Sequence, residues 1–358
     1  MSVSAVDVVA ADGRPARRRR RFVLWGVCGV LVVALAAAFI VPLPYYVDAP
    51  GQVTGTEPRI SVSGRQSFAT PGRVMFTTVS QQQATAALLV RSWLDDTIDT
   101  IPDEVAVPSG NRTKERVFEQ RMMDQSKETA VRVALDRLGI DYEASGGGAF
   151  IAAFLPGFEA EHRLFQGDVI VAVDGTEVHT VDDVANAMKG RAVGSVAVLT
   201  VRHRADGSTD DVEIPLGRNR DDESRGYLGV ALETANPSFD FPFKVELDSG
   251  NVIGPSAGLA WTLGIVDRLT PGDLTDGRRV AVTGTIDSAG NVGPIGGIAQ
   301  KAEGAKQAGA TVFLYPAATP KAEVARVRRI ANGDLDLHPV ATVDDALEVL
   351  GFDGAGQR

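Results

Sequence analysis

Cysteine is almost missing from this chain of 358 residues, with Cys28 the only one. A lone thiol closes no intrachain disulfide, so the fold has no covalent staple. Cys28 also lies inside a long apolar run, so the body of the protein has no thiol nucleophile and no thiolate metal ligand. Histidine is scarce too. His162, His179, His203 and His338 are the only four, and none has a neighbouring acid in a triad-like motif. A Ser-His-Asp site therefore finds no support. No metal site and no cofactor are expected. A Walker pattern G-x-x-x-x-G-K-[ST] is absent, so no ATP-driven engine is expected. Basic surface is short as well, with 36 Lys and Arg against 46 Asp and Glu and a net charge of −10. Six arginines, Arg14 and Arg17 to Arg21, face only Asp7 and Asp12 in residues 1–21, which leaves −14 on the remainder. An acidic body of that kind argues against nucleic acid as a partner.

Behind the arginines the chain turns apolar. Phe22 to Val41 is twenty residues without a charge, enough to span ~30 Å of hydrocarbon at ~1.5 Å per residue. The expectation is one transmembrane helix over 22–41 behind a cytoplasmic basic tail, 1–21. Five consecutive arginines place the N-terminus inside and everything after Pro42 outside the cell membrane. Trp25 and Tyr45-Tyr46 suit the two interfaces. Ala34-Leu35-Ala36 leaves a cleaved signal peptide as the alternative.

Beyond the apolar run, Pro50-Gly51 reads as a turn and Val74 to Val79 as a strand. Gln81 to Leu94 reads as helical, and Asp99 to Asn111 as a loop. Arg112 to Leu138 is helical by its three- and four-residue apolar steps, with Gly139 as its stop. Ser145-Gly146-Gly147-Gly148 is a hinge, and a compact unit of short strands comes after it. Thr180 is placed to cap a helix over Val181 to Met188. Residues 218–225 form a charged linker. From Gly226 on, strands alternate with helices, the pattern of an α/β domain.

Gly167-Asp168-Val169-Ile170-Val171-Ala172-Val173-Asp174-Gly175, after the turn Pro156-Gly157 and before the short helix, resembles a PDZ domain of the bacterial type over residues 146–217. Such domains add a peptide as a strand beside a helix and hold its carboxylate with backbone N–H groups. The resemblance implies that Gly148, Ala149, Phe150 and Ile151 form the loop and receiving strand. Val184 and Met188 would then line the groove. The alternative is that these apolar residues simply fill the small domain's core.

Ser256 in Gly254-Pro255-Ser256-Ala257-Gly258 stands at the start of an apolar helical run (Leu259, Trp261, Leu263, Val266). Serine needs a base within hydrogen-bond reach to act as a nucleophile. With histidine excluded, lysine is the candidate, provided that burial favours its neutral form. Ile298, Lys301, Ala302 and Ala305 share one helical face, which puts Lys301 on the apolar side. Backbone N–H groups at the helix start can stabilise an oxyanion, and Gly254, Ala257 and Gly258 let a substrate backbone approach. The pair could also be a simple helix cap and a snorkelling lysine.

Three linked stretches bear on that choice. The serine motif, the run Thr283-Gly284-Thr285-Ile286 with Gly290 to Gly297, and Gly309-Ala310 to Pro316 after Lys301 resemble the proteolytic domain of Lon proteases. The likeness is closer still to membrane-anchored, PDZ-containing Lon-like proteases of bacteria, on Pro50-Gly51 and Thr77-Thr78-Val79-Ser80. Gln125-Ser126-Lys127-Glu128-Thr129-Ala130 resembles the helix that precedes the serine in that family. The resemblance implies a split α/β (α+β) Lon-type domain, residues 45–143 and 226–352, with the β-rich PDZ-like domain inserted. Ser256 would be the nucleophile and Lys301 the base. Thr283 or Thr285 would orient the lysine, and Gly254 and Ala257 would support the oxyanion. Ile253 departs from the acidic residue that many Lon domains carry three places before the serine.

The function expected is ATP-independent endopeptidase action on exported or membrane-associated protein or peptide substrates, in a homo-oligomer, commonly a hexamer for Lon-like domains. Two rivals remain at this level. One is a non-catalytic PDZ scaffold with a Lon-like oligomerisation part, and the other an enzyme that processes only itself.

Overall fold

The computed structural model describes residues 14–218 and 225–352, and side chains from Trp25 onward apart from Ala34. The tail's arginine side chains and most of the linker expected at 218–225 lie outside the described residues. The chain folds as two compact units, one up to Gly139 and from Lys244 on, the other Ile140–Phe243. A helix, Arg14–Ile40, covers most of the uncharged run. Among the described residues no helix is long and apolar enough to cross a membrane.

The first unit is built on a six-stranded sheet. Its strands run, from one edge, Asp336–Val340, Val312–Pro316, Arg279–Val282, Arg73–Gln83, Tyr45–Gly55 and Asp99–Pro102. The first four are parallel, and the last three pair antiparallel. Val312–Pro316 is buried throughout, as expected of a parallel strand covered on both faces. Successive side chains explain the two layers. Met75 joins Ala281, Phe313, Ile298, Ala302 and Ala305 on one side. Phe76 turns the other way and meets Trp261 at 5.2 Å between rings. The helix Gly258–Leu269 thus packs on one face and Ile298–Gln307 on the other. The long helix Arg112–Arg137 lies against Gly258–Leu269.

Three local expectations change. Gln81 to Gln83 continue the strand, opposite Asp48, Val47 and Tyr46, and the helix starts only at Ala86. Cross-strand pairing overrides helical propensity there, and Thr85 caps the helix by accepting from Leu88 N–H. Pro50 and Gly51 do not turn the chain. They lie inside the strand, where a register shift between Pro50 and Val53 absorbs the missing proline N–H. Asp99–Pro102 is a strand and Asp103–Ala106 a helical turn rather than a loop.

The second unit is a sheet in the order Thr209–Pro215, Val196–Arg202, Val169–Val173, Ala149–Phe154, Val230–Thr234. The helix Val181–Met188 begins with a capping box between Thr180 and Asp183. Residues 226–243 belong to this unit and not to the catalytic part. Val230–Thr234 pairs with Ala149–Phe154, and Ser238–Asp240 pairs with Glu143–Ser145. Tyr142 packs edge-on to Phe239 and also meets Phe241.

Candidate active site

The serine turn is set by what surrounds Gly254. Its φ of 86° with ψ of 155° is a conformation that side chains disfavour. A Cβ there would stand 2.8 Å from Glu119 Oε2. Gly254 N–H donates to the backbone carbonyl of Glu119 at 3.1 Å. It is therefore occupied and cannot serve the oxyanion, contrary to the expectation for this residue. Pro255–Ala257 forms a single 3-10 turn that runs into the helix Gly258–Leu269. Pro255 has no N–H, so Ser256 supplies the first one of the turn, ahead of any intrahelical acceptor. Ala257 is buried beside it.

Two neighbouring elements clamp the turn. Ser126, buried on the long helix, donates to the Pro255 carbonyl at 3.0 Å. Gly258 has no room for a side chain, since a Cβ would meet Ser126 Oγ and Ile286 Cγ2 at 2.8 Å each. On the other side Gly284 N–H donates to the Ser256 carbonyl at 2.9 Å, and Leu259 N–H donates to Gly284 O at 3.1 Å. The end of the strand Arg279–Val282 is thus stitched to the serine.

Lys301 arrives from the opposite face of the sheet, one turn into Ile298–Gln307. It is 3% exposed, and its Nζ lies 2.8 Å from Ser256 Oγ and 3.1 Å from Thr283 Oγ1. Burial lowers its pKa to about 7, because a dry site penalises the ammonium. The neutral amine is therefore accessible near neutral pH. Such an amine can accept the Ser256 hydroxyl proton on its lone pair while donating to Thr283. Of the two threonines expected to orient the lysine, Thr283 makes the contact. Thr285 instead pairs with Gly293 in a short ladder.

The same region has an open strand edge. Arg279–Val282 covers only Arg73–Phe76 of the strand Arg73–Gln83, so from Thr77 onward that side of the strand has no strand partner among the described residues. Thr77 lies one strand over from Thr283 in register. It is buried, and its Oγ1 has no hydrogen-bond partner.

In the second unit the expected groove is corrected. Ala149, Phe150 and Ile151 lie on an inner strand, with Val169–Val173 on one side and Val230–Thr234 on the other. Gly148 precedes that strand, and its carbonyl accepts from Ala235 N–H. No edge is left there for a peptide. Val184 and Met188 belong to the domain's core, with Ile151 and Ile170. Among the described residues Val230–Thr234 is an end strand of the sheet with an open side, and the helix Val181–Met188 packs beside it. Thr234 Oγ1 accepts from Val181 N–H, and Gly226 N–H donates to Arg191 O, so strand and helix run in opposite directions.

Comparison with known proteins agrees with this division. Residues 244–351, which hold both Ser256 and Lys301, match the Lon protease (S16) C-terminal proteolytic domain. Residues 137–216 match the PDZ domain. The Lon protease of Azospirillum brasilense is 38% identical over 95 residues, which are 26% of this chain and 11% of that protein. That of Desulfatibacillum aliphaticivorans is 31% identical over 142 residues, 37% of this chain and 17% of that protein. The chain thus spans only 11% to 17% of the length of these relatives. Among solved structures, the PDZ domain of an SdrC-like protein from Listeria innocua covers 24% of this chain and 92% of its own, with 16% identity and a TM-score of 0.22. The chain thus carries a region similar to the Lon (S16) proteolytic domain, residues 244–351, together with a PDZ domain, residues 137–216.

Proposed function

We propose that this protein is a membrane-anchored, ATP-independent serine endopeptidase that works through a Ser256–Lys301 dyad. The observation that carries the reading is a buried lysine amine 2.8 Å from a serine hydroxyl on a helix-start turn. Neutral Lys301 takes the proton of Ser256 Oγ as that oxygen attacks the scissile carbonyl. The resulting ammonium gives the proton to the leaving amine, and an acyl-enzyme remains. Water then attacks the acyl carbon, Lys301 receives its proton, and Ser256 regains one as the carboxylic acid leaves. The N–H of Ser256 stabilises the oxyanion in both halves. An extended substrate lies along the open edge beyond Thr77, where strand addition brings its backbone beside the dyad.

Anchoring rests on the uncharged run Phe22 to Val41 behind five arginines, with the catalytic part outside the cell membrane. Independence from ATP rests on the missing Walker pattern, so substrates arrive unfolded, flexible or tethered. The PDZ domain selects them by adding a chain segment to the edge Val230–Thr234. Lon-like assembly into a ring of like subunits fits the same reading.

The decisive experiment measures cleavage of an unfolded protein by the full-length chain, with Ser256→Ala and Lys301→Met beside it. Both variants are expected to lose cleavage, and Ser256→Ala to lose labelling by a serine-directed fluorophosphonate. Undiminished cleavage by either purified variant sinks the dyad.

A further inference from the structure

Glu119 has no part in the dyad, yet the serine turn is shaped around it. The long helix meets the turn at Gly254, and the carboxylate stands where a side chain at Gly254 would go, 2.8 Å from its Cβ position. Gly254 and Ser256 are two residues apart, at most ~7 Å along the chain. The carboxylate therefore stands on the order of 10 Å from the nucleophile, within reach of a long side chain next to a scissile bond. It is half-buried, and among the described residues it has no hydrogen-bond donor or cationic partner. Burial and then the nearby Glu115, one helical turn earlier, push its carboxyl above the usual range. A half-buried carboxylate with a second acid behind it and no counter-charge is costly unless something supplies the charge.

We propose that Glu119 is a specificity-determining residue, which selects substrates carrying a lysine or arginine beside the scissile bond. The inference rests on the endopeptidase reading and deepens it. A guanidinium or ammonium arriving with the peptide gives Glu119 the partner that the free chain lacks. A charge-assisted hydrogen bond of that kind discriminates by ~10-fold or more against an uncharged isostere. Glu115 adds to the negative potential but lies a further turn away.

The test uses the full-length chain and pairs of fluorogenic peptides that differ only in Arg against Gln on either side of the scissile bond. At one of these positions the wild-type ratio of kcat/KM, Arg over Gln, is expected to exceed ~10. In Glu119→Gln it falls to about 1, and in Glu119→Lys a Glu peptide overtakes the Arg peptide. An equal ratio in wild type, or an unchanged ratio in Glu119→Gln, overturns the proposal. So does loss of fluorophosphonate labelling at Ser256 in both variants, since the residue would then only hold the turn. A wild-type chain that cleaves neither peptide and takes no label overturns the endopeptidase reading itself, which separates the two failures.

Discussion

Thr283 ties Lys301 to the serine it faces. Its hydroxyl accepts from Lys301 Nζ at 3.1 Å and donates to the Ser256 carbonyl at 3.3 Å. One buried side chain thus fixes both the direction of the amine and the height of the nucleophile's turn. Thr283→Val keeps the volume and removes both bonds. It is expected to lower kcat by about 10- to 100-fold with KM changed little, as the loss of one or two neutral hydrogen bonds in a buried site implies. Thr283→Ser should restore most of the rate. A rise in KM alongside the fall in kcat, or no rescue by serine, would point to a general packing defect instead.

The lysine makes a pH prediction with a definite sign. Its pKa is about 7 in the fold and 10.5 in the unfolded chain. The active form is neutral, so kcat/KM should rise with pH through about 7 and then level off. Stability moves in the same direction but in another window. Between pH 7 and 10.5 the unfolded chain binds the extra proton, so stability contributed at this site increases with pH across that window. At pH 7 the buried amine costs the fold up to about 4 kcal/mol. Lys301→Met removes the titration and should be more stable than wild type at pH 7, with the gap closing toward pH 10. Urea unfolding at pH 7 and pH 9.5 measures both ends.

The legibility of each residue in the sequence depends on how far along the chain its partners lie. Ser256 and Lys301 each carry a local signature, a glycine-flanked helix start and a helical face, which makes them candidates, and the likeness to Lon domains decides between a dyad and a helix cap with a snorkelling lysine. Thr283 and Thr285 are two residues apart, a spacing that an unbroken strand would put on one side, and only the three-dimensional end of Arg279–Val282 shows which of them meets the amine. The open edge of the second unit is hidden for a different reason. Val230–Thr234 pairs with a strand some eighty residues earlier, and the charged stretch between them reads as a boundary. Pairing across that distance leaves no local pattern, so sequence reasoning puts the groove on the inner strand Ala149–Phe154. Glu119 escapes notice because a lone acid on a polar helix face looks like solvated surface. Its place against Gly254 is a tertiary fact.

Gly254 is expected to tolerate no side chain. Gly254→Ala puts a methyl where Glu119 Oε2 now stands and forces a non-glycine residue to φ 86°. The strain is on the order of 1–3 kcal/mol, and the turn can relieve it by rotating Ser256 away from Lys301. Fluorophosphonate labelling should slow by more than tenfold while the far-ultraviolet circular dichroism stays unchanged. Pairing Gly254→Ala with Glu119→Gly should recover part of the labelling rate, because the methyl then has room. If the single variant labels at the wild-type rate, the turn does not depend on this contact.

Glu57 gives the opposite pH dependence to Lys301. Its carboxyl is driven up from 4.5 to about 7, first by burial, even though it accepts from Val74 N–H, and Asp267 adds to the rise. One of its oxygens, Oε2, is buried without a partner. The fold therefore holds a proton here that the unfolded chain releases above pH 4.5. By linkage, the stability contributed at Glu57 is complete below pH 4.5 and is lost as pH rises to about 7. Allowing for partial exposure, the ionised group costs about 2 kcal/mol above pH 7. Glu57→Gln keeps the acceptor for Val74 and removes the charge, so it should stabilise the fold by roughly that amount at pH 8 and by little at pH 4.5. Unfolding midpoints in urea at the two pH values, wild type against variant, give the difference directly. An equal gain at both would mean that the effect is packing and not ionisation.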